Sequence, residues 1–147
     1  MASQEFRKLI ERGVAAAERG NTLDALFHLE SAGHSGSTPR LCSYLGYCLA
    51  KERREFKRAA ELCIEALKQE PEQAVHYLNL GRVYLVAGQK AAAIRTLRKG
   101  VKFGKSRPII EQLVKLGIRK APVVASLPRS HPVNKHLGLL FKRLGMR

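Results

Sequence analysis

The sequence predicts an all-α chain of stacked helix hairpins, and three observations carry that expectation. Glycines at 13, 46 and 81 sit in similar local patterns, 33 and 35 residues apart, and a period of this length marks a repeat array. Around each glycine the chain reads as two amphipathic helices joined by a short turn. Helix-ending signals fall between them: Gly20 and Gly88 suit the left-handed residue that closes a helix, and Pro71 stops another. The length, 147 residues, suits a continuous core.

The third unit is the clearest. It runs Tyr77, Leu80, Gly81 and Tyr84, then Gly88, Ala93 and Leu97. The second gives Cys42, Leu45, Gly46 and Leu49, then Ala59, Cys63, Ala66 and Pro71, with one extra residue near Lys51–Phe56. The first gives Leu9, Gly13 and Ala16, then Gly20, Ala25, Leu29 and Ala32. Small residues stand where paired helices must approach closely, and large ones fill the spaces between. This text resembles the tetratricopeptide signature W-x2-L-G-x2-Y…A-x3-F, with Tyr in place of Trp and Leu in place of Phe. The resemblance implies a right-handed α-solenoid of three such hairpins, spanning about 4–107 (repeats at about 4–38, 39–73 and 74–107). One hairpin cannot bury its apolar face alone, so stacking is obligatory.

After the repeats, Ser106 can cap a helix that Gly117 ends, giving a capping helix over 108–118. Residues 119–147 form a basic tail in which Pro122, Pro128 and Pro132 forbid one long helix. An amphipathic helix is expected over 133–144. Val133, Leu137, Leu140, Phe141 and Leu144 fall on one stripe. A lone helix this short is marginal in water, so Leu137, Leu140, Phe141 and Leu144 are expected to dock on the repeat stack, with Phe141 as anchor. Gly138 and the lack of Trp argue against a membrane helix.

No apolar run is long enough to span a bilayer. Residues 1–12 read as neither a signal nor a transit peptide, so a cytoplasmic protein is expected. The three cysteines, Cys42, Cys48 and Cys63, form no CxxC pair and read as small buried hydrophobes. No phosphate-cradling glycine motif, GxSxG or HExxH occurs. A Cys48–His76 nucleophilic pair is conceivable in space, but nothing in the spacing favours it. The expectation is a non-enzyme with no catalytic residue, no metal site and no cofactor.

Charge is more informative. The net charge is +15, and residues 74–147 hold all of the excess, with Glu111 as their one acid. Such asymmetry points to an anionic partner. Arg95, Arg98, Lys99 and Lys102 recur at i, i+3, i+4 and i+7, one face of a helix. The resemblance adds a concave groove formed by the first helix of each hairpin. Its register places there Arg7, Ile10, Val14, Ala17, Ser43, Tyr47, Ala50, Leu78, Arg82 and Leu85. Some relatives clamp a chaperone's terminal carboxylate with Lys, Asn and Arg from this surface. Here Asn79 alone corresponds, and Ile10, Val14 and Tyr44 replace the polar clamp residues, which disfavours that ligand. Plain helix packing explains the apolar stripe equally well. The expected function is a protein-interaction scaffold or adaptor. Its groove, with Arg7, Tyr47, Asn79 and Arg82, and its basic half would bind a peptide or acidic protein. The alternative is a nucleic-acid-associated protein using the basic surface, for which stacking aromatics are not evident in the sequence.

Overall fold

A computed structural model describes residues 2–104, 106–117 and 132–143. Eight helices occur among them: α1 (Ala2–Glu18), α2 (Thr22–Gly33), α3 (Pro39–Arg53), α4 (Phe56–Gln69), α5 (Ala74–Val86), α6 (Lys90–Val101), α7 (Arg107–Lys115) and α8 (Pro132–Arg143). The chain divides into two compact units, Met1–Leu113 and Val114–Arg147. The first contains α1 to α6. The second contains α8.

Within the first unit, α1 pairs with α2, α3 with α4, and α5 with α6; α3 also packs on α1 and α2, and α5 on α3 and α4. This is an all-α solenoid of three stacked hairpins. Close approach inside each hairpin explains the glycines. A Cβ at Gly46 would lie 2.6 Å from the Ala59 carbonyl oxygen and 2.9 Å from Cys63 Sγ. At Gly81 it would lie 2.7 Å from Leu97 Cδ2. Ala25, Ala59 and Ala93 are fully buried, as are Leu29, Cys63 and Leu97.

The turns show a period that the glycine signature hides. Gly20, Arg54 and Gly88 all have positive φ, at 82°, 57° and 78°, and stand 34 residues apart. Arg54 does the work of glycine at the end of α3, a conformation that costs a side-chain-bearing residue about 1 kcal/mol. The longer interval in the second unit therefore lies inside α3, between Gly46 and Arg54. Helix starts are marked locally as well. Thr38 accepts from the Leu41 amide at 3.2 Å, with Pro39 as the first helical residue of α3.

All three cysteines are free and buried. Burial pushes the Cys48 thiol up to about 12 and raises Cys63 as well. Neither offers a thiolate near neutral pH. Ile109 of α7 is fully buried, and its Cδ1 lies 2.9 Å from where a Cβ would stand at Gly100 of α6. The same helix leaves Ile110 exposed. No helix of the described residues is long and apolar enough to cross a membrane.

Candidate functional site

The first helices of the hairpins, α1, α3 and α5, do not form the open apolar groove that their register implies. Ile10, Val14, Ala17, Ser43, Ala50 and Leu78 are all buried. Neighbouring helices approach closely enough to consume them as core. Tyr44 is buried too. What remains on this surface is mostly polar: Arg7, Glu11, Glu18 and Arg40 are exposed, and Tyr47, Arg82 and the apolar Leu85 are half-buried.

A connected polar network runs through these helices. Glu18, near the end of α1, meets the Arg82 guanidinium of α5 at 3.3 and 3.5 Å and accepts from the Tyr44 hydroxyl of α3 at 2.7 Å. Arg82 also donates to Asn79 Oδ1 at 3.1 Å and lies 5.0 Å above the Tyr47 ring. Asn79 Nδ2 donates to Ser43 Oγ at 3.2 Å. Ser43 Oγ is 2.9 Å from His76 Nδ1, and His76 Nε2 is 2.7 Å from Glu70 Oε2. Glu11 and Arg40 add a second α1–α3 pair at 2.8 Å.

The sequence-derived site residues thus divide. Tyr47 and Arg82 come together, and Arg7 stands exposed on α1. Asn79 is a correction: it is fully buried and committed to Ser43 and Arg82, so it does not line an accessible groove. Glu18, Ser43 and His76 were not recognised as a group from the sequence. One signal was available: Ser43 and Asn79 are short polar residues at core spacing in the middle of helices, where an unpaired polar group is costly. Glu70, His76 and Ser43 share the connectivity of a hydrolase triad. Ser43 is fully buried, however, and its oxygen is already taken by Asn79. A substrate has no access, and the arrangement is structural. His76 pairs with Ser43 and Glu70, not with Cys48.

Electrostatics follow the network. Burial alone would raise the Glu18 carboxyl, but the hydrogen bonds from Arg82 and Tyr44 and the Arg82 charge outweigh it and hold it below its ordinary 4.5. Burial, reinforced by Glu18, lifts the Tyr44 phenol far above its usual range. A carboxylate whose folded value is depressed stabilises above its ordinary value, and that stability is lost as pH falls through the folded one. The chain should therefore lose stability on acidification below about pH 4.5, and Glu18→Gln should make the loss shallower. Denaturant midpoints measured between pH 6 and pH 3 test this, and parallel curves for the two proteins would contradict it.

Arg95, Arg98, Lys99 and Lys102 are all exposed on and just after α6. Of the tail residues, Leu140 on α8 is 49% exposed. The side chains of Leu137 and Phe141, and Leu144 altogether, lie outside the described residues. Among the described residues no cluster of His, Cys, Asp and Glu has the makings of a metal site. A depression of about 380 Å³ is lined by Glu30, Gly33, His34, Leu45 and Arg58. It is away from the Arg82 network.

Residues 50–115 match the family model described as "Tetratricopeptide repeat". No curated protein matches the chain. Among solved structures, the second TPR domain of human RPAP3, determined by NMR in complex with an HSP70 peptide, is similar with a TM-score of 0.59. Identity is 12%, and the match covers 82% of this chain and all of that one. At that identity the likeness speaks for the fold.

Proposed function

We propose that this chain, whose residues 50–115 match the tetratricopeptide-repeat model and whose fold is similar to that of such a domain, is a non-enzymatic interaction scaffold that binds an extended acidic peptide across α1, α3 and α5. Tetratricopeptide repeats serve protein–protein interaction, and the similar human domain is in complex with a peptide. The observation that carries the finer reading is Arg82. It is a cation held in place by Asn79 and Tyr47 on the first-helix surface, and its charge is met by a carboxylate of the same chain, Glu18. An acidic peptide side chain can replace Glu18 there, as another can replace Glu11 on Arg40, with Arg7 supplying further positive charge. Chaperone-tail recognition is not carried over, since Ile10, Val14 and Tyr44 are buried where clamp residues would stand.

Panning a displayed peptide library on the whole chain tests the proposal. Selected peptides should be enriched in Asp and Glu. The double variant Arg7→Glu/Arg82→Glu should bind them about tenfold more weakly or worse, a loss of at least about 1.4 kcal/mol. Peptides without acidic residues, or affinities unchanged in the variant, would remove this surface from the function.

A further inference from the structure

We propose that the third hairpin carries a separate surface for single-stranded nucleic acid, with the cations of α6 holding backbone phosphates and the Phe103 ring receiving a base. Two independent observations meet at this edge.

The first is charge without a counter-charge. Arg95, Arg98, Lys99 and Lys102 span about 10 Å of helix axis on one exposed face. Elsewhere in the first unit Arg40, Arg53, Arg58, Lys68 and Arg82 meet carboxylates, and cations outside those pairs, such as Arg7 and Lys51, share their helices with acids, as α6 does not. Among the described residues none of the four stripe cations meets a carboxylate. Glu111, the one acid after residue 73, is taken by Arg107 at 2.8 Å. The row is a patch of positive potential open to an anionic partner.

The second is a ring held flat beside those cations. Phe103 follows Lys102 directly and is 40% exposed. It stacks on Tyr77 with ring centroids 5.3 Å apart and planes inclined by 14°. Tyr77 is itself anchored, its hydroxyl donating to the Pro71 carbonyl at 2.8 Å. Beside Phe103, Gly104 has no atom of the described residues, its chain neighbours aside, within 4 Å of where a side chain would begin. A backed aromatic face next to a cationic row is what base stacking plus phosphate contact requires. An acidic peptide would use the cations but has no group that needs the ring. A duplex keeps its bases inside, so unpaired bases are the ones that reach it.

Full-length protein is titrated into a fluorescein-labelled oligouridylate of about 12 nucleotides and read by anisotropy. Four phosphate contacts predict a log–log salt slope of about −3, falling to about −1.5 in Arg98→Gln/Lys102→Gln. Phe103→Ala should bind about tenfold more weakly with an unchanged circular dichroism spectrum. The chain has no tryptophan, so Phe103→Trp adds a single reporter. It should keep the affinity, and its emission should be quenched by oligouridylate but not by inorganic polyphosphate. Arg7→Glu/Arg82→Glu should bind the oligonucleotide as the parent does, which separates this surface from the peptide surface. The proposal is overturned if polyphosphate, polyglutamate or duplex RNA binds as tightly as oligouridylate. It is equally overturned if Phe103→Ala is without effect, or if the tryptophan does not respond to the oligonucleotide.

Discussion

Gly46→Ala is expected to destabilise the protein by about 2–3 kcal/mol, although alanine is the better helix former. Gly46 lies inside α3, where replacing glycine with alanine would ordinarily gain up to about 1 kcal/mol. The added carbon would stand 2.6 Å from the Ala59 carbonyl oxygen, and that oxygen is main chain of α4. Main chain cannot swing away as a side chain can, so α3 and α4 must separate along their contact. Separation also loosens Cys63, whose sulfur lies 2.9 Å from the new carbon. The steric term wins over propensity. Gly33→Ala is the control, since a Cβ there meets nothing within 4 Å. It should be neutral or stabilising by up to about 1 kcal/mol. Chemical denaturation followed by circular dichroism measures both. A Gly46→Ala protein as stable as the parent would mean that the helices are not in this contact.

Ser43→Ala should cost about 2–4 kcal/mol, a large effect for the loss of one oxygen atom. Ser43 Oγ is the hub that joins His76 Nδ1 and Asn79 Nδ2. All three residues are buried. Without the hydroxyl, two buried polar groups lose a partner, and each unsatisfied group costs about 1–3 kcal/mol. The loss should spread, because Asn79 in turn orients Arg82 over Tyr47. Ser31→Ala removes a hydroxyl bonded only to the exposed Phe27 carbonyl and should change stability by less than about 0.5 kcal/mol. The two variants are compared by equilibrium unfolding. If Ser43→Ala matches Ser31→Ala, the network is not contributing to stability.

These two sites show where sequence reasoning reaches and where it stops. Gly46 was legible because a repeat period forces the same close approach at equivalent positions, so spacing alone exposes it. Ser43 was not, because nothing in a linear pattern says which polar side chain on α3 meets which on α5. Arg54 lies between these cases. Its left-handed backbone is required by the 34-residue spacing of Gly20 and Gly88, yet a signature that looks for glycine passes over it.

The site followed the same division. Periodicity placed Arg95, Arg98, Lys99 and Lys102 on one face, and the sequence showed that residues 74–147 hold one acid, Glu111, against all the cations there. Both are one-dimensional facts, set by helix geometry and charge counting. Whether Ile10, Val14 and Leu78 line a groove or fill a core depends on how closely the first helices pack, which spacing does not contain. The structure buries them, and it draws Glu18 across α3 to Arg82, 64 positions away. It also turns Phe103 onto Tyr77 as an exposed stack. The sequence by itself determined the helices, their pairing into hairpins and which half carries the positive charge, because these follow from local periodicity and composition. Tertiary structure alone decided which polar groups pair, which stripe is surface and which ring is open, because those depend on contacts between residues the chain keeps far apart.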